Sequence, residues 1–171
     1  VDELKRISSM PEATFVFTHM WAAHGPYPFD SDGNIVEDYL SPFITVDSPE
    51  TAYRVTDQIE YHNKRLLEVV DTILENSTIS PIIIIQGDHG KFFGGYNSPG
   101  GLPPLEILNA YYLPDDGDEL LYPDISPINT FRIVLDYYFG TDYGLLPDRN
   151  FAVPWRFMEP FIFQDFTDNF H

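Results

Sequence analysis

Pro81 to Gly90 reads PIIIIQGDHG, and how its four consecutive isoleucines are covered decides the fold class. A run without polar alternation is apolar on both faces, which suits a central strand of a parallel sheet with helices on either side. The run closes on Asp88 and His89, set between Gly87 and Gly90, glycines that let the backbone turn sharply beside a ligand. In open α/β sheets, ligands bind beyond the C-terminal ends of the strands. A carboxylate and an imidazole at that place are a usual donor pair for Zn²⁺ or Mn²⁺, so Asp88 and His89 are candidate metal ligands. The plain alternative is a polar turn that ends a strand.

Upstream, ATFVFTHM (Ala13 to Met20) is β-branched and aromatic, bounded by Pro11 and by the Gly/Pro-rich AAHGPYPFDSDGN, and reads as a buried strand. The same region carries His19 and His24. If the two strands are parallel neighbours, these histidines converge with Asp88 and His89 on one edge of the sheet. His19, still near the strand, reads equally as a hydrogen-bonded core histidine; His24, in a Gly-Pro loop, is harder to explain by packing.

SPETAYRVTDQIEYHNKRLLEVVDTILENS is the clearest helix, with Ser48 as N-cap and Pro49 in its first turn. Ala52, Val55, Ile59, Leu66, Val70 and Ile73 trace an apolar stripe, and His62 falls on it as a buried, satisfied residue. LEILNAYYL (Leu105 to Leu113) is a second strand candidate. SPINTFRIVLDYYFG is a second helix, opened by Ser126-Pro127 and stopped by Gly140. The tail FAVPWRFMEPFIFQDFTDNF reads as one or two edge strands. The order strand, helix, strand, strand, helix predicts one α/β domain over residues 1–171, a mostly parallel central sheet flanked by helices. Its core spans 13–140, and 141–171 form an aromatic edge segment.

A length of 171 residues and an apolar content of 43% suffice for the core of one domain. Nine basic against twenty-seven acidic residues give a net charge of −18, which repels nucleic acid and anionic lipid. Phosphate and sulfate esters are repelled too, unless a bound cation reverses the local field. Without cysteine there are no disulfides, no cysteine-held zinc and no thiol catalysis. No apolar run is long enough to span a membrane, and no signal peptide is visible. The start VDELKRISSMPEATFVF, lacking an initiator Met, suggests processing or a piece of a longer chain.

Taken together, THMWAAHGPYPFD, YRVTDQIEYHNKRLLEVVDTIL and PIIIIQGDHG resemble the C-terminal half of a sulfatase-like domain of the alkaline phosphatase superfamily. The branch they resemble most holds lipoteichoic acid synthases and phosphoethanolamine transferases. The resemblance covers residues 13–114 and continues in SPINTFRIVLDYYFGTDYGLLPDR. It implies the C-terminal portion of an alkaline-phosphatase-like fold, with one divalent metal (Mn, Ca, Mg or Zn). That metal would be held by an upstream acidic residue, the nucleophile, and Asp88 with His89. His24 would contact the transferred phosphate or sulfate. A Thr, Ser or modified Cys nucleophile would attack the ester, giving a covalent intermediate that water or an alcohol resolves.

Around this core, His19, Lys91, Tyr96 and Asn97 are candidate substrate-binding residues; Lys91 reads either as an anion contact or as a solvated surface lysine. No nucleophile is evident, since Thr14 and Thr18 lie on the His19 strand and cysteine is absent. The expectation is therefore part of a metal-dependent hydrolase or phosphotransferase acting on small anionic sulfate or phosphate esters. By the same resemblance its parent is membrane-anchored, with this domain outside the cytoplasm. A sheet cut at its edge would favour a homo-oligomer. The alternative is a degenerate, non-catalytic α/β module that binds a ligand or partner, and a third reading is a structural module with incidental histidines.

Overall fold

A computed structural model describes residues 2–21, 24–37, 49–90, 105–152 and 163–169. The chain divides into two compact units, Val1–Pro81 and Ile82–His171.

The first unit opens with a short helix, α1 (Asp2–Ile7), acidic in its first turn and basic in its last, as the helix dipole favours. Lys5 pairs with Glu68 at 3.3 Å, which ties α1 to the long helix α2 (Pro49–Asn76). Between them, Ala13 to Trp21 has no regular secondary structure and every residue exposed, Phe15 at 85% and Phe17 at 82%, and has no ladder partner among the described residues. The buried strand expected there is not formed. β-branched and aromatic content marks a segment that fits a sheet, while burial requires a neighbouring strand.

The following loop folds back on α2. Phe29 and Ile35 form an antiparallel bridge around a turn, and Asp30 Oδ1 accepts the amides of Asp32 (3.0 Å) and Asn34 (2.8 Å). Gly33 closes the turn at φ +85°, where a Cβ would collide with the Tyr61 ring. Phe29 packs on Tyr61 and His62, ring centroids 5.1 and 6.0 Å apart. On α2 the buried residues are Val55, Gln58 and Val69, with His62, Leu66 and Ile73 half-buried along the same face. The apolar stripe is thus turned from its expected course: Ala52 and Ile59 are exposed, and polar Gln58 lies in the covered face. Ser48, the expected cap, lies outside the described residues.

In the second unit the isoleucine run forms β1 (Ile83–Gln86), which pairs antiparallel with β2 (Asn109–Tyr112) in the register Ile83↔Tyr112 to Gln86↔Asn109. Gly87 extends the ladder, its N–H donating to Leu108 O at 2.9 Å. Residues 81–87 are half-buried throughout. This overturns the mostly parallel central sheet: the ladders among the described residues are two-stranded and antiparallel. An apolar run reports a capacity for burial on both faces but not the direction of its neighbour. The parallel assignment also needed Ala13–Met20 as the first strand of a crossover through α2, and that strand has no ladder among the described residues.

Helix α3 (Pro127–Phe139) lies where the sequence places it, with Pro at its first turn and Gly140 ending it at φ +66°. Ser126 occupies the N-cap position without a capping bond from its hydroxyl. The buried face of α3 carries Asn129, Thr130, Ile133 and Val134. Thr130 Oγ1 and Tyr111 OH, 2.7 Å apart, bind α3 to β2. Asn129, fully buried, donates to Leu146 O (2.8 Å) and Asp148 Oδ1 (2.9 Å) and accepts the Leu146 amide at 3.0 Å. Asp148 also accepts Ser126 N–H at 2.7 Å and Tyr122 OH at 2.6 Å. Burial raises the Asp148 pKa, but these hydrogen bonds outweigh it and hold the carboxyl below its ordinary value. Beyond this knot, β3 (Phe151–Ala152) and β4 (Gln164–Asp165) make a two-residue antiparallel ladder braced by Arg149 and Asp165.

Candidate functional site

Asp88 and His89 sit on the turn that leaves β1, and the structure brings these two together. Their side chains are 81% and 54% exposed, and Asp88 Oδ2 lies 3.9 Å from His89 Nε2. Asp88 Oδ1 accepts the His89 amide at 3.0 Å, which fixes the carboxylate over the turn. His89 Nδ1 lies 2.7 Å from Gly90 O. A carbonyl only accepts, so Nδ1 carries the proton there and Nε2 of the neutral ring holds the lone pair. Two donors bonded to one ion at about 2.1 Å in a tetrahedral site are roughly 3.4 Å apart. The observed separation is within half an ångström of that span.

The donor set therefore fits a divalent ion, as half of a site. Among the described residues no group of three or more His, Cys, Asp or Glu side chains is gathered to hold one. Lys91, Tyr96 and Asn97 lie outside the described residues.

His24 belongs to the first unit and is exposed, on a loop whose next residues, Gly25 and Tyr27, are buried. Its Nδ1 lies 2.6 Å from Gly25 O, which again puts the proton on Nδ1 and the lone pair on Nε2. The Trp21 ring meets the imidazole edge-on, centroids 5.0 Å apart. The His24 carbonyl accepts the side-chain amide of Gln58 at 3.4 Å, across 34 residues of sequence. His19 is exposed on the Ala13–Trp21 segment, so the core-histidine reading fails for it. His62 is half-buried between Phe29 and Tyr61, and burial lowers its pKa from the usual 6.5. That agrees with its packing role.

Sequence reasoning missed Gln58. The signal was present: a glutamine three residues after Val55, on the face of α2 that is otherwise apolar. A cleft of about 350 Å³ lined by Ser31, Asp32, Tyr61, Lys64, Arg65 and Glu68 is a different matter. Its charges are already matched, Lys64 with Glu60 (3.0 Å) and Ser31 O (2.9 Å), Arg65 with Glu68 (2.5 Å). It fastens the Asp30–Gly33 turn to α2.

Comparison of the chain with protein-family models, with curated proteins and with solved structures finds no match in any of the three. No helix among the described residues is long and apolar enough to cross a membrane.

Proposed function

We propose that this chain is part of a metal-dependent, sulfatase-like hydrolase or phosphotransferase acting on small sulfate or phosphate esters, with a nucleophile that this sequence does not supply. The observation that carries the reading is the Asp88–His89 turn, where a carboxylate oxygen and an imidazole nitrogen stand 3.9 Å apart at the end of β1. The resemblance of THMWAAHGPYPFD and PIIIIQGDHG to that family supports it from the sequence. Asp88 and His89 would hold one divalent cation, which supplies the positive charge that an anionic ester needs in a chain of net charge −18. By the same resemblance His24 would contact the transferred phosphate or sulfate, its ring oriented by the Nδ1 contact with the Gly25 carbonyl.

Calorimetric titration with Mn²⁺ and Zn²⁺ tests the metal half-site. The expected result is binding that weakens at least about tenfold in Asp88→Ala and in His89→Ala, the size of loss that follows removal of a ligand or its support. Binding that survives both substitutions would sink the assignment.

A second reading, a non-catalytic module that binds a partner, draws on Phe15, Phe17 and Trp21, all more than two-thirds exposed on one segment. Retained metal binding with no turnover of phosphate or sulfate esters, in a longer chain that includes the missing nucleophile, would favour it.

A further inference from the structure

We propose that Gln58 is a positioning residue for His24: its buried side-chain amide holds the His24 carbonyl and so fixes the backbone that aims the ring. The inference rests on the reading of His24 as a substrate contact. Gln58 is 2% exposed in the middle of α2, between Val55 and the His62–Tyr61 ring cluster. A glutamine placed there, in a face otherwise apolar, is costly unless its amide is used. The amide reaches the His24 carbonyl at 3.4 Å, long for a hydrogen bond, from a side chain that is itself almost wholly buried.

The geometry passes from that carbonyl to the ring in one step. The peptide that carries His24 O is the one that enters Gly25, and Gly25 O is the acceptor of His24 Nδ1 at 2.6 Å. Fixing the His24 carbonyl therefore limits rotation about the bonds that place Gly25 O beside the ring. Gly25 and Tyr27 are buried just downstream, and the Phe29–Tyr61 contact and the Lys64–Ser31 bond pin the rest of the loop to the same helix. Trp21 closes the other side of the imidazole. The ring is thereby left with Nε2 as its lone-pair nitrogen, the one not engaged by the Gly25 carbonyl. Free imidazole side chains have no such constraint, so the tautomer of His24 reports the device directly.

The test is the imidazole ¹⁵N spectrum of the full chain, as the unsubstituted protein and as Gln58→Met and Gln58→Glu, recorded where the histidines are neutral. In the unsubstituted protein the Nδ1–H tautomer of His24 should dominate. In Gln58→Met, which keeps the shape and helix preference but loses the donor, the Nδ1–H to Nε2–H ratio should fall on the order of threefold or more, the population change an ordinary net hydrogen bond commands. Gln58→Glu, whose buried carboxyl is favoured in the neutral form and can still donate to the carbonyl, should lower it less than Gln58→Met does. The His62 signals in the same spectra report whether the loop is still seated on α2.

A folded Gln58→Met chain with His62 unchanged and the His24 tautomer also unchanged would overturn the proposal. So would an Nε2–H tautomer in the unsubstituted protein. If both variants fail to fold, through-space contacts between the Gln58 amide protons and the His24–Gly25 backbone in the unsubstituted protein decide: present, they support it, and absent, they overturn it. None of these readouts involves a metal or an ester. Failure of the functional reading therefore shows in the titrations above, and failure of the Gln58 proposal shows only here.

Discussion

His24 and His89 each set Nδ1 against the carbonyl of the glycine that follows, at 2.6 and 2.7 Å, but the two regions build this arrangement differently. The His24 loop is held by a platform: a buried glutamine, a ring stack and a lysine, all from α2. Within the His89 turn, such bonds come from its own neighbours, Asp88 and Gly90. A platform keeps one pose at the cost of long-range packing.

The comparison breaks most visibly if the second unit proves to rest on the Asp88–His89 turn. Its buried polar contacts lie instead at Asn129, so Asn129→Ala should cost about 3 kcal/mol by removing the hydrogen bonds of a fully buried amide to Leu146 and Asp148. Chemical denaturation of the variant measures it. In the first unit the corresponding weak point is Gly33. Gly33→Ala adds a side chain at φ +85° and drives it into Tyr61, an expected loss of about 2 kcal/mol. Gly140→Ala is the control, since φ is +66° but the space is open, and about 1 kcal/mol of backbone strain is expected alone. Equal losses at the two glycines would mean that the loop is not seated on α2.

Mild acid should separate the units further. His62 has a folded pKa below its unfolded 6.5, so the unfolded chain takes up the proton first. Its contribution is complete above pH 6.5 and is lost as pH falls from there through the lowered folded value. Asp165, held to about 2 by hydrogen bonds from Thr167 and by Arg149, behaves as a depressed carboxylate. Its contribution is complete above 3.8 and is lost only as pH falls through about 2. Thermal melts followed by backbone resonances at pH 7 and pH 5 should therefore show the first unit weakening while the β3–β4 ladder persists. The smallest effect is expected at the turn itself. Asp88→Ala and His89→Ala, both exposed, should change stability by no more than about 0.5 kcal/mol, whatever they do to the proposed metal binding.

Helices were legible in this sequence because their signals are local. Pro127 at the first turn and Gly140 at the stop bound α3, and the periodicity from Val55 to Ile73 bounds the middle of α2. The helix α1 was not anticipated, as six residues give too short a period to read. Sheet pairing was misjudged because it depends on a partner that the strand's own residues do not name. Ile83 to Gln86 would look the same beside a parallel or an antiparallel neighbour, and Phe15 and Phe17 look the same covered or bare. At the candidate site, the residues Asp88, His89 and His24 could be picked from the sequence by their glycine-flanked turns. The tautomers could not, because they are set by the Gly25 and Gly90 carbonyls, and Gln58 was hidden by its own composition.

From Thr141 to Pro147 every residue is exposed. Yet Asp136 accepts the amides of Tyr143 (2.8 Å) and Gly144 (2.9 Å), Arg132 takes the carbonyls of the same two residues, and Asn129 holds Leu146. Side-chain contact with water and backbone freedom are decoupled in this loop. Deuterium should enter the Tyr143, Gly144 and Leu146 amides slowly, at rates set by the opening of α3, while a protease that needs an extended, yielding stretch of chain should pass the loop by.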